Sequence, residues 1–207
     1  MSDVLPRIFY DRDAIDVARD LLGKTLAREL GGERLSATIV ETEAYVGPHD
    51  LACHASKGMT ARNQVMFGEP GRAYVYFIYG MYYCLNLVTG HAGYPAAVLI
   101  RACEPIEGIE TMRLLRKKAK KDLDLTSGPG KLCIALGIDR TLNGADVCNG
   151  KELFVEDAPP VKDIVSCKRI GVDYAGEYKD KPWRFYIKDN PYVSLTAEKA
   201  AKKVKKA

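Results

Sequence analysis

No two cysteines in this chain stand in a C-x-x-C pair, although there are six: Cys53, Cys84, Cys103, Cys133, Cys148 and Cys167. The missing spacing argues against a structural zinc site and for buried, reduced thiols among apolar neighbours. No apolar run approaches bilayer-spanning length, and residues 1–12 are too polar for a secretory leader. No internal repeat and no linker divide the 207 residues. The net excess of charge is small as well. The 31 basic and 27 acidic side chains leave +4, which permits a polyanionic partner without demanding one. Most of the local positive density gathers in residues 113–121 and 199–206. What remains is an intracellular protein expected to fold as one domain over residues 1–207, with residues 1–4 and 195–207 as loose ends. Its 47% hydrophobic and 28% charged content suits a globular core.

The pattern of elements predicts an α+β fold. Asp11 is positioned to cap a helix, with Asp13 in its first turn. Ile15, Ala18, Leu21 and Leu22 share its apolar face, and Gly23 stops it. Residues 24–30 and 34–45 read as strands joined by a Gly31-Gly32 turn. Period-two alternation puts Glu41, Glu43 and Tyr45 on one face of the second strand and Val40, Thr42 and Ala44 on the other. Residues 50–67 read as loop or short helix. Residues 74–78 and 82–87 form a hairpin with six aromatics between 74 and 83. Residues 96–104 are a buried strand interrupted by Arg101. An amphipathic helix is expected over 107–121, broken by Ser127-Gly128-Pro129-Gly130, with a short helix over 131–136. Leu153-Phe154-Val155, 163–169 and 184–188 read as later strands. Strands, helices and strands in blocks imply a mostly antiparallel, curved sheet with flanking helices and a protruding aromatic β-hairpin.

Several residues carry chemistry, and the residues alone leave each reading open. Glu43, a strand carboxylate beside Tyr45, suits a general base, although spacing alone favours a surface ion pair. Glu41 is either its like-charge neighbour or an anchor behind it. Arg101 in an apolar strand needs a partner, for which Glu41 and Glu43 are the candidates. His54 gains interest from Tyr45, Tyr76 and His49, which together suit a flat ligand. A metal on His49 and His54 lacks a third ligand at a recognisable spacing. Tyr79-Gly80-Met81 falls at the hairpin tip, where large apolar side chains suit either a wedge between stacked bases or a contact with protein. Gly128-Pro129-Gly130-Lys131 can meet a phosphate at a helix start, but the first glycine of a Walker A loop is absent.

The segments ETEAYVGPHD, His54, ARNQVMF, PGRAYVYFIYGMYYCLN, VLIRACEP, TSGPGKLCIALGI and KPWRFYIKDNPYVS occur in this order. Together the chain resembles the alkyladenine (3-methyladenine) DNA glycosylase family from about Leu5 to Ser194. The resemblance implies a base-excision repair enzyme that flips a damaged purine out of duplex DNA. Such an enzyme hydrolyses the N-glycosidic bond without a cofactor or metal. Glu43 stands where the family has the base that activates water. Arg101 and the backbone carbonyl of Ile170 stand where that water is held. Tyr45, His54 and Tyr76 match the pocket for the flipped purine. Asn86 matches the asparagine that crowds the amino group of guanine. Tyr79 matches the side chain inserted into the duplex, with Met81 beside it. Lys131 and Arg62 are expected at phosphates, as is the basic helix and tail.

Two departures stand out: Ala61, where the family often carries proline before Arg62-Asn63, and His49, an added imidazole near the site. No lysine is placed as a Schiff-base nucleophile, so the resemblance implies a monofunctional, monomeric enzyme that leaves an abasic site. A prokaryotic source would place it at the nucleoid, a eukaryotic one in the nucleus. Methylated purines, hypoxanthine and ethenoadenine are all substrates within the family's range. A catalytically silent DNA-binding module would keep Tyr79 but have no need of Glu43 and Arg101. An RNA- or nucleotide-directed hydrolase is separated by its preference among duplex DNA, RNA and free nucleosides.

Overall fold

One long strand, β2 (Glu33–Tyr45), organises the sheet. It is fed by β1 (Thr25–Leu30) through Gly31 and Gly32, both with positive φ, the backbone that a tight hairpin turn requires. The computed structural model describes residues 3–194. Eight antiparallel strands form the sheet, with β2 at its centre. One edge of β2 pairs with β5 (Ala96–Glu107). The other pairs with β1 over its first half and with β8 (Arg184–Ile187) from Glu41 to Glu43. Beyond β5 lie β4 (Tyr82–Thr89) and β3 (Ala73–Ile78), the aromatic hairpin. Beyond β1 lies β6 (Leu153–Glu156), and β7 (Ile164–Cys167) pairs with β8.

The main core fills one face of this sheet. Val17, Ala18, Leu21 and Leu22 from α2 (Ala14–Asp20) and its end pack there with Leu132, Cys133 and Leu136 from α5 (Pro129–Ala135) and its end. They meet Leu26, Leu85, Leu87, Val98 and Ile100 of the strands. The opposite face carries a smaller cluster, with Cys53, Met66, Tyr74 and Ala97.

Strict alternation fails in the middle of β2, and the failure matters for the site. Leu35, Ala37 and Ile39 point into the main core, as odd positions; after Val40 the core residue is Ala44. Val40 sits instead with Ala102 and Val193 in a separate cluster, not on the face of Ala44. The register to β5 slips between Ile39 and Glu41 and again between Glu41 and Thr42. β5 changes parity beside it, with Val98 and Ile100 in the core and then Cys103. An extra residue in each strand therefore turns Glu41 and Arg101 away from the apolar core.

Local boundaries differ from the sequence reading where a side chain or its absence decides. Asp13, not Asp11, caps α2, its carboxylate accepting from the Ile15 amide at 2.7 Å. Asp11 instead ends the one-turn α1 (Arg7–Tyr10). The basic helix is only α3 (Ile109–Leu115), because residues 116–121 add lysines and an arginine but little apolar surface to bury. Residues 128–130 do not merely break a helix: Pro129 opens α5 from its first position, after the one-turn α4 (Leu123–Thr126). Val4, within the expected loose N-terminus, bridges Glu156. The expected loose C-terminal end (195–207), with its basic tail (199–206), lies outside the described residues. Among those residues no helix is long and apolar enough to cross a membrane.

Replacing Asp13 by Ala should cost about 1 kcal/mol of stability in urea denaturation, the usual worth of an N-cap. Asp11→Ala should cost clearly less. Equal losses would contradict the assignment of the cap.

Candidate active site

Five strands deliver one row of side chains to the face opposite the main core. Tyr74 of β3 is opposite Asn86 of β4, Asn86 is opposite Leu99 of β5, and Leu99 is opposite Glu43 of β2. Arg184 of β8 flanks Glu43 on its other side. The row ends in charge. Glu43 is completely buried, and its Oε1 accepts from the Ile170 amide at 2.8 Å with Arg101 Nη1 3.2 Å away. Its Oε2 accepts from the Tyr45 hydroxyl at 3.0 Å. Both expected partners of Arg101 are thus real, because its Nε also donates to Glu41 at 3.1 Å.

Glu41 is an anchor. It is buried without exposure, and it accepts from Arg184 at 2.9 Å, from the Ser194 amide at 2.6 Å and from the Ser194 hydroxyl at 3.0 Å. Burial lowers the Arg101 pKa, but Glu43 and Glu41 outweigh it, so the net shift is upward and the guanidinium stays charged. Burial and the neighbouring Glu43 push the Tyr45 phenol well above its usual range, which keeps a proton to donate to Glu43.

In front of this cluster lies a cavity of about 570 Å³, within the range of small-molecule sites. Tyr45, His54, Tyr76, Asn86, Arg101 and Ile170 all line it, as do Tyr79 and Lys131. Glu43 does not line it. The carboxylate stands immediately behind a wall made by Tyr45, Arg101 and Ile170, the three residues that bond to it. Aromatic edges make up another wall, with the His54 ring 4.6 Å from Tyr76 and 5.9 Å from Tyr74. Burial, with the Arg62 charge nearby, lowers the His54 pKa to about 4, so its imidazole is neutral at pH 7. Its Nδ1 is 2.9 Å from the Tyr74 hydroxyl.

The hairpin tip stands at the rim of the cavity. Tyr79 is 79% and Met81 63% exposed, and Tyr79 holds φ +54° beside Gly80 at +66°. A large side chain in left-handed backbone is costly, on the order of 1–3 kcal/mol, so the turn presents this ring at a local expense. Met81 does not line the cavity. Arg62 lies over the Tyr76 ring at 5.3 Å and donates to the Phe77 carbonyl. Lys131 is 3.3 Å from the Ser127 hydroxyl. His49 is not in the cavity. It is exposed and its ring lies 6.3 Å from Tyr178, because Gly47-Pro48 turns the chain away before it.

A family model described as methylpurine-DNA glycosylase matches residues 8–191. The chain belongs to the methylpurine-DNA glycosylase family. It is accordingly a DNA-repair hydrolase acting on N-glycosyl bonds. Among similar proteins is a provisionally named 3-methyladenine DNA glycosylase of Methanocella arvoryzae, 68% identical over 94% of this chain and 97% of that protein. Relatives given the same provisional name in Alkaliphilus oremlandii and Desulfitobacterium hafniense are 54% and 52% identical, each over 92% of this chain and 98% of their own length.

Three glycosylase residues with strong contacts escaped the sequence reading. Arg184, between Trp183 and Phe185, carried a signal related to that of Arg101, a charge among apolar residues at the start of a strand. Asp50 and Arg169 form an ion pair with no exposed side-chain surface, at 2.5 and 2.8 Å. Both come from polar loops, and nothing in local sequence pairs them.

The His54 shift has a testable sign. The unfolded chain takes up a proton near pH 6.5 and the folded one only near pH 4, so folding stability falls as pH drops through that window. Urea titrations at pH 7 and pH 4.5 should show wild type losing more stability than His54→Gln. Equal losses would assign the titration to another group.

Proposed function

We propose that this glycosylase excises alkylated or deaminated purines from duplex DNA through a water activated by Glu43, leaving an abasic site. The observation that carries this reading is the state of Glu43: wholly desolvated, held by three donors and one residue behind the cavity wall. A carboxylate has about four acceptor sites, so three donors leave it capacity to take a proton from water. Its charge is also placed to stabilise the cationic sugar that forms as the glycosidic bond breaks.

The remaining residues then take roles by position. Tyr79 enters the duplex and fills the gap behind the flipped nucleotide, with Met81 beside it. Extruding a base costs a few kcal/mol, least for a damaged pair, and stacking on an aromatic returns about 1–3 kcal/mol. Tyr45, His54 and Tyr76 supply that stacking. Their electron-rich rings, with a neutral imidazole, favour a purine made cationic by N-alkylation. Asn86, fixed by a 3.2 Å bond to the Tyr74 carbonyl, crowds the amino group that distinguishes guanine. Arg101 and the Ile170 carbonyl orient the water, while the Ile170 amide fixes Glu43. Lys131 and Arg62 meet phosphates. N-alkylation already weakens the glycosidic bond, so an activated water suffices without a lysine nucleophile, and no strand cleavage follows. The enzyme acts as an intracellular monomer on DNA.

The test is single-turnover release of base from a duplex carrying one hypoxanthine or ethenoadenine. Wild type should leave an alkali-labile abasic site, whereas Glu43→Gln should bind the same duplex and react about 10²–10⁴-fold more slowly. Activity that survives this change would remove Glu43 from the mechanism. Binding without reaction by wild type, on these lesions and on methylated DNA, would favour a silent module. Glu41→Gln should instead lower folding stability by about 3–5 kcal/mol, since it leaves Arg101 and Arg184 short of an anion. A normally stable Glu41→Gln would contradict its role as anchor.

A further inference from the structure

The segment that delivers the Ile170 amide to Glu43 belongs to no strand or helix. It follows β7 and runs through Gly171, at φ +76°, along the cavity wall. Regular structure ties its start to β2 through β8, which pairs with both β7 and β2 and whose Arg184 Nε donates to the Lys168 carbonyl at 2.9 Å. Beyond Lys168 the ties to the end of β2 come from the side chain immediately before Ile170. Arg169 donates to both carboxylate oxygens of Asp50, to the Ala44 carbonyl at 2.9 Å and to the Tyr178 carbonyl at 3.2 Å. Its guanidinium lies between two rings, 4.8 Å from Tyr45 and 5.0 Å from Trp183. Asp50 is tied in turn to the turn after β2, accepting from the Val46 amide at 3.3 Å and the Ala52 amide at 3.0 Å.

We propose that Asp50 and Arg169 are a positioning pair for the general base. The pair locks the segment at 168–172 to the turn after β2, so that the Ile170 amide stays on Glu43 Oε1. This inference rests on the glycosylase reading of Glu43. Its geometric half, the dependence of the Ile170 amide on the pair, does not.

Several features support a placing role over mere stability. The pair is a fork-to-fork contact, which fixes orientation as well as distance. Its side chains are entirely desolvated, a costly arrangement, and a buried ion pair is by itself weak evidence of a stabilising role. It also touches two of the groups that position Glu43 at once: it abuts Ile170 along the chain and stacks on Tyr45, whose hydroxyl holds Oε2. Ala52, Val172 and Ala175 pack the same two loops together, so the loops keep contact when the charges are removed.

The test uses the full chain and two variants. Asp50→Asn/Arg169→Met removes both charges together and retains an acceptor for the Val46 and Ala52 amides, so no buried charge is left unpaired. Arg169→Lys retains the charge without the fork and serves if the double variant fails to fold. The first readout is the amide proton resonance of Ile170 in the DNA-free protein. It should move upfield in Glu43→Gln, which weakens the acceptor, and in the same direction in both pair variants. The second is single-turnover base release, which should fall about 10–100-fold, the usual cost of losing a partner that orients a reactive group. The dissociation constant for lesion duplex should stay within threefold.

An Ile170 resonance unmoved in the pair variants overturns the inference, whatever the activity. A moved resonance with an unchanged rate overturns the positioning role. Loss of duplex affinity in parallel with rate would mark a general structural effect and overturn it as well. If wild type releases no base while the resonance still follows the pair, the glycosylase reading of Glu43 fails and the geometric link stands.

Discussion

Three carboxylates and three guanidinium groups are buried together in and behind the cavity wall, and each stands beside an opposite charge. Glu41, Glu43 and Asp50 have no exposure, and Arg101, Arg169 and Arg184 have at most 7%. Taking such ions out of water costs several kcal/mol each after relaxation, so the cluster survives only if each charge meets an opposite one. That requirement reaches far along the chain. It calls for β5 to supply Arg101, β8 to supply Arg184, the segment after β7 to supply Arg169, and Ser194 to close on Glu41. Elements distant in sequence must therefore be in place before any one charge is satisfied. The reward is a carboxylate whose surroundings need not reorganise during reaction, the condition under which fixed charges act most strongly.

The cluster divides labour between two glutamates two residues apart. Glu41 is saturated by three partners and does not line the cavity. Glu43 shares Arg101 with it but is otherwise held by a phenol and a backbone amide, both part of the cavity wall. Arg101 ties the two together, so the structural acid fixes the cation that fixes the reactive one.

Much of this was legible in the sequence, and the remainder had a physical reason to be hidden. Gly31-Gly32, the aromatic hairpin and the apolar strand around Arg101 announced the sheet, because turn glycines and alternation are local signals. Arg101 announced a buried anion by the same logic, and Tyr45, His54, Tyr76 and Asn86 do converge on one cavity. The helix expected to reach residue 121 stopped at Leu115, since charge pattern suggested an amphipathic face that has nothing to cover. His49 looked like part of the site by proximity in sequence, but a Gly-Pro turn sends it outward. Asp50–Arg169 stayed hidden because two polar loop residues 119 positions apart carry no local sign of pairing. The parity change at Val40 was hidden too, as it depends on a matching slip in β5.

That parity change gives the central strand the properties of a reading frame. Upstream of Val40, odd-numbered residues belong to the oil of the core; downstream, Glu41 and Glu43 hold the charges. One residue gained or lost within the slip would exchange the two phases, driving carboxylates into the core and aliphatics onto the arginines. Length variation in descendants of this gene should then be found in the surface loops, with the span from Ile39 to Tyr45 and its partner in β5 inherited as one block, changed together or not at all.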